Sequence, residues 1–146
     1  MPTATEIRES IEKNFASYLA ELEQVGDVWE KKPVGSADGE GAWCAREVAE
    51  HIAGAGLFFG AGIAQAINVP GPTPSRMSFP THAEAIGETK RAHGMLMDVV
   101  AKVSDDHMSL EVDHPRLGKQ TLGGILGIVA FHLTDHAGQL KTLRGG

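Results

Sequence analysis

The strongest constraint on this chain is the spacing of its apolar residues. In four stretches they recur every three or four positions, and Pro- or Gly-rich sequence separates one stretch from the next. In the first, Ile7, Ile11, Phe15, Tyr18, Leu22, Val25 and Trp29 share one stripe. Thr3 and Glu6 form a capping box at its start, which satisfies N–H groups that a helix leaves open. The spacing predicts a helix that stops before Pro33, because the residue preceding a proline disfavours helix. Val34–Ala42 follows as a loop. A second helix is expected from near Trp43 to about Ile67, with Val48, Ile52, Ala55, Phe59, Ile63 and Ala66 inward. A third opens on the capping box Thr81/Glu84 and ends at Ser104-Asp105-Asp106, and a fourth runs from Thr121 to about Leu143. Asn68–Pro80 and His107–Gln120 read as surface connections, the latter irregular with a short extended turn around Leu110–Val112. No other period-2 run exists. The expectation is an all-α four-helix bundle in a single domain over residues 1–146.

Composition narrows the function classes. With 42% hydrophobic residues in 146, there is enough apolar side chain for one core. A net charge of -6 without a concentrated basic stretch predicts no nucleic-acid partner. Ile52–Ile67 is almost wholly apolar but shorter than the roughly 20 residues that span a bilayer, so no membrane association is expected. The polar N-terminus and the lone Cys44, which cannot close an internal disulfide, point to the cytoplasm. Glycines in the second and fourth helices (Gly54, Gly56, Gly60, Gly62; Gly123, Gly124, Gly127) cost about 1 kcal/mol each against alanine, which close helix approach would offset.

The histidines carry the chemical information. His132 and His136 lie one helical turn apart, beside Ile125 and Val129 on the apolar stripe. His51 falls at the edge of the second helix's stripe. Three imidazoles directed into one core need partners, since an unpaired buried polar group costs about 1–3 kcal/mol. A divalent metal would satisfy all three at once and leave open positions for water or substrate. Glu47, one turn before His51, and Gln139, beside His132 on the helical wheel, are the candidates to hold a ligand ring or contact bound water. The competing reading is a metal-free core in which the rings bond to one another or to carbonyls. Three imidazoles suit zinc, nickel, copper and iron alike.

Other metal motifs fail. No glutamate follows His132, as the metalloprotease helix requires. The one Glu-x-x-His, Glu111–His114, lies outside the helices, whereas di-iron bundles need two on helices. His82, His93, His107 and His114 read as surface or capping residues, with His114 a pocket-border candidate. Cys44 reads as a half-buried thiol, and Trp29 and Trp43 as core or staple residues.

Trp43-x-x-x-Glu47-x-x-x-His51, together with Gly118-Lys119-Gln120-Thr121-Leu122 leading into His132-x-x-x-His136-x-x-Gln139, resembles the DinB-like/YfiT-like superfamily of metal-binding four-helix bundles. The resemblance runs over nearly the whole chain. It implies an up-down-down-up-like bundle, a divalent ion (nickel or zinc, with iron or manganese as alternatives) on His51, His132 and His136, and a homodimer. Relatives include metal-dependent hydrolases and transferases or isomerases that use low-molecular-weight thiols. Two departures stand out: the mycothiol-dependent isomerases carry a further C-terminal domain, whereas the sequence here runs three residues past Leu143, and glycines are dense in the second and fourth helices. Three functions follow: a metal-dependent hydrolase or thiol transferase acting on a small molecule, a non-catalytic metal- or ligand-binding stress-response bundle, and a metal-free bundle.

Overall fold

The computed structural model describes residues 2–33 and 39–145. Four helices, α1 (Ala4–Glu23), α2 (Ala45–Ile67), α3 (His82–Val100) and α4 (Leu122–Gly145), form the bundle. Helix α1 packs along α4 and α2 along α3; contacts between α2 and α4 and between α1 and α3 close the ring. The predicted stripes become its core: Ile11, Tyr18, Leu22, Val48, Leu122, Leu126 and Leu140 are almost fully buried. No described helix is long and apolar enough to cross a membrane.

The starts of the helices follow local chemistry. The Thr3 hydroxyl accepts from Glu6 N at 3.1 Å while Glu6 Oε1 accepts from Thr3 N at 2.9 Å. At α3 only half of the expected box forms, with Thr81 Oγ1 accepting from Glu84 N at 3.2 Å. Helix α2 starts at Ala45, two residues after the expected Trp43, because Glu47 Oε1 accepts from Cys44 N at 3.1 Å and makes Cys44 the cap.

Three expectations need correction. The first helix does not reach Trp29; it ends at Glu23, and a short 3-10 turn, Gly26–Val28, follows. The reason is tertiary. His82 Nε2 lies 2.6 Å from the Leu22 carbonyl and donates to it, taking an acceptor that a continuing helix would use itself. Gly26 fits beneath that imidazole, where a Cβ would lie 3.0 Å from Nδ1. Second, the connection after α3 is ordered: a 3-10 turn over Asp105–Ser109 leads into the hairpin β1 (Glu111–His114) and β2 (Gly118–Thr121), antiparallel with His114 opposite Gly118. Gly118 has φ +73°, the left-handed conformation that closes a three-residue hairpin loop. Third, close helix approach explains few of the glycines. A Cβ on Gly60 would meet Pro72 at 2.9 Å and the Leu96 Cα at 3.6 Å, but Gly56, Gly62 and Gly127 face open space. Of the expected loop Val34–Ala42, Gly39–Ala42 forms a 3-10 turn and 34–38 lie outside the described residues.

Candidate metal centre

Helices α2 and α4 bring His51, His132 and His136 together, with their ligand atoms all within 4.8 Å of one another. His51 Nε2 is 2.9 Å from His132 Nε2, and His132 Nε2 is 3.1 Å from His136 Nε2. The i,i+4 spacing aligns the two α4 rings, and α2 presents the third across the interface. His136 is buried, while His51 and His132 are half-buried and reach a cavity.

Proton counting shows what this arrangement accepts. Gln139 Oε1 lies 2.8 Å from His136 Nδ1, and the same amide donates from Nε2 to the Glu40 carbonyl at 2.6 Å. The amide orientation is therefore set, the oxygen faces the ring, and Nδ1 carries the proton. In the neutral ring His136 Nε2 is then a bare lone pair. His132 Nε2 has hydrogen-bond contacts to both neighbours and at most one proton to give. If His132 Nε2 donates to the bare His136 Nε2 it has no lone pair left for His51, so neutral rings leave one of the two contacts unmet, whereas one cation satisfies all three nitrogens. A metal at about 2.0–2.1 Å from each imidazole nitrogen holds them roughly 3 Å apart, as two of the pairs already stand. The three-histidine group fits a divalent ion.

Electrostatics agree. Burial lowers the His132 pKa to about 4, helped by the neighbouring His136 and His51. Burial also lowers that of His51, again with His136 contributing, while Glu40 opposes. Neutral rings are the form that coordinates.

Of the two supporting residues expected from sequence, only Gln139 touches a ligand ring. Glu47 does not: among the described residues its carboxylate is committed to Lys32 and to the Cys44 N–H. Its place one turn before His51 also put it at the third position of α2, where a glutamate caps. Two residues beside the cluster were not among the expected site residues: Glu40, and Trp43, which reads from sequence as a core or staple residue. Glu40 Oε1 lies 3.5 Å from His136 Nε2. Trp43 packs over the cluster, with ring centroids 4.9 Å from His51 and 6.3 Å from His136. Trp43 lies two helical turns before His51, a spacing that could have placed it; Glu40 sits in a turn with no periodicity to reveal it.

The other histidines are individually partnered or buried. His82 caps α1, and His107 Nδ1 accepts from Ser104 N at 3.0 Å. His93 is no surface residue: its ring stacks on Phe15 at 3.6 Å and Nε2 lies 2.6 Å from Glu12 Oε1. His114, the last residue of β1, is buried and borders the cavity, the side of its reading that sequence left as the lesser one. The Cys44 thiol is buried, and burial raises its pKa, which disfavours a reactive thiolate.

The cavity beside the histidines has a volume of about 900 Å³, within the range of small-molecule sites. His51 and His132 stand in its wall with Phe58, Phe59, Glu40 and Trp43.

Comparison with known proteins gives one family and several solved structures of the same fold. Residues 9–140 match the DinB superfamily. No curated protein matches the sequence. Among solved structures, TT2238, a four-helix bundle protein, superposes with TM-score 0.71 at 24% identity, covering 96% of this chain and 99% of that one. The colibactin self-resistance protein ClbS, in complex with a dsDNA, gives 0.69 at 13% identity over 100% of this chain and 98% of that one. An uncharacterised protein from Escherichia coli UTI89 gives 0.69 at 15% identity over 98% and 94%. At these identities the likeness carries the fold alone. Because ClbS is seen with DNA, the fold by itself does not exclude a nucleic-acid partner, and the expectation of none rests on charge.

Proposed function

This chain belongs to the DinB superfamily, and on that footing we propose that it is a metal-dependent enzyme acting on a small molecule, by hydrolysis or by transfer of a low-molecular-weight thiol. His51, His132 and His136 are the ligands of a divalent ion, with nickel or zinc first and iron or manganese as alternatives. The observation that carries the reading is the convergence of three Nε2 atoms whose two mutual contacts neutral rings cannot both satisfy.

When bound, such an ion acts as a Lewis acid and lowers the pKa of a water or thiol it holds. The protein's own groups supply the rest. Gln139 keeps the His136 lone pair directed at the site and ties the Glu40 turn to α4. The Glu40 carboxylate, 56% exposed and 3.5 Å from His136 Nε2, accepts the proton of an incoming water or thiol. Trp43 covers one side of the cluster and excludes water there, and the cavity admits substrate from the other. The net charge of -6 supports a small-molecule over a nucleic-acid substrate. A cytoplasmic homodimer completes the proposal; Phe131, 68% exposed on α4, is an apolar side chain that a second subunit would cover. Sedimentation tests it, with a mass of twice 15.5 kDa expected.

A second reading, a non-catalytic metal binder, is favoured by the same Glu40, which as a fourth protein ligand would close the coordination shell. The deciding experiment measures metal content of protein purified without added metal, then screens the loaded protein for ester or amide hydrolysis and for thiol adducts. Under the enzyme reading, Glu40→Gln keeps metal affinity and loses turnover. Under the binder reading it loses metal affinity. A purified wild type that takes up no divalent ion overturns both.

A further inference from the structure

Part of the cavity wall carries donors that the proposed metal chemistry does not use. His114 ends β1, and its Nδ1 accepts from the backbone N–H groups of Arg116 at 3.1 Å and Leu117 at 3.2 Å. Nδ1 is therefore the lone pair and Nε2 carries the ring proton. That Nε2–H is buried, between Phe58 and Phe59 (ring centroids 5.5 and 5.9 Å away), and has no acceptor within the protein. A buried donor without a partner costs about 1–3 kcal/mol, and because His114 lines the cavity a small turn of its ring would bring the N–H to a ligand's acceptor.

Two guanidiniums share this wall. Arg116 lies over the Phe58 ring, 6.0 Å from its centroid, and Arg76 comes from the Pro-rich connection. Neither guanidinium has a hydrogen-bond acceptor among the described residues. Of the two carboxylates of the cavity, Glu50 accepts from Arg46 at 3.0 Å and from the Phe79 N–H at 2.7 Å, and Glu40 stands 3.5 Å from His136 Nε2 at the histidine cluster. The cavity thus holds two guanidiniums without a hydrogen-bonded acceptor, one orphan N–H and aromatic walls.

We infer that this wall is an acid-recognition subsite: the small molecule that enters the cavity carries a carboxylate, held by Arg76, Arg116 and the His114 Nε2–H, and an apolar or aromatic body that lies against Phe58 and Phe59. The carboxylate is anchored there while the rest of the molecule reaches His51 and His132. Planar guanidiniums match a planar carboxylate with paired hydrogen bonds. The inference rests on the small-molecule reading of the cavity, but its donors are separate from the metal ligands.

Calorimetric titration of the full-length protein with 4-phenylbutyrate and with its uncharged analogue 4-phenylbutyramide reads the subsite, first as purified and again after chelator treatment. The acid should bind about ten-fold or more tightly than the amide in both preparations, as two charge-assisted contacts allow. In Arg76→Gln/Arg116→Gln the preference should collapse to within about two-fold with an unchanged melting temperature, because both side chains are exposed. In nitrogen-detected spectra the His114 Nε2 resonance should move on binding while its Nδ1 resonance stays. Equal binding of acid and amide, absence of binding by both up to about 10 mM, or a preference that survives in the double variant would overturn the inference. A preference seen only before chelation also overturns it, since the acid was then held by the ion. A preference retained in protein that takes up no metal leaves the subsite standing and removes the metal reading instead.

Discussion

His93 on α3 and His132 on α4 line the same small cavity of about 30 Å³ in the middle of the bundle, and burial lowers the pKa of both. Their company differs. His93 stacks on Phe15 and has a carboxylate, Glu12, at 2.6 Å, so its ring is satisfied by one aromatic face and one anion. His132 has two other imidazoles at 2.9 and 3.1 Å and no anion in hydrogen-bond contact. Glu12 holds the His93 pKa up against burial, whereas the imidazoles of His136 and His51 push that of His132 further down, to about 4. Burial and a helical address are thus common to a structural histidine and a candidate ligand. What separates them is whether the neighbours can complete the ring's hydrogen bonding without a cation.

The largest effect that could break this contrast is on metal affinity. His132→Ala should reduce it by more than the roughly 10–100-fold typical of losing an outer hydrogen bond to a ligand ring. His93→Ala should leave it unchanged. Competition with a chromogenic chelator measures both, and equal losses in the two variants would erase the distinction.

Gln139→Leu sharpens it. Without the amide oxygen, His136 Nδ1 loses the acceptor that fixes its tautomer, and affinity should fall about 10–100-fold with all three ligands still present. An unchanged affinity in the same competition assay would mean that the tautomer is held in some other way.

A smaller effect is on stability against pH in chelator-treated protein. The folded pKa of His132 lies below its ordinary 6.5, so the unfolded chain binds more protons between those values. The stability held above pH 6.5 should therefore be lost as pH falls from 6.5 towards about 4, by on the order of 1–2 kcal/mol once the ring's partial exposure is allowed for. Urea unfolding at a series of pH values measures it. His132→Phe should flatten that slope more than His93→Phe, whose carboxylate partner opposes the same shift.

The smallest expected change is that of Glu47→Ala. It should cost about 1 kcal/mol of stability through the lost cap of α2 and should not alter metal affinity, because the carboxylate faces Cys44 N and Lys32. A fall in metal uptake would restore Glu47 to the site.

Much of the bundle was legible in the chain because stripe and cap are local: Thr3 with Glu6, and Ile7 through Leu22, need only helical geometry to predict a one-faced helix. His132, His136 and Gln139 could be read together for the same reason, since three and four residues make one turn of one helix. The end of α1 was not legible. It depends on His82, some 60 residues later, reaching the Leu22 carbonyl, and no periodicity encodes that. Glu40 and the orphan N–H of His114 were hidden for a related reason. Glu40 lies in a short turn and His114 at the end of a short strand, and their side chains acquire a direction only when the bundle sets those segments against a helix, Glu40 through Gln139 on α4 and His114 against Phe58 and Phe59 on α2. Which faces are apolar and which residues share a helical turn could be read from the chain alone, because both follow from 3.6 residues per turn. Which polar atoms meet across elements, and which are left without a partner, came only with the packed bundle, because that depends on distances between segments far apart in the chain.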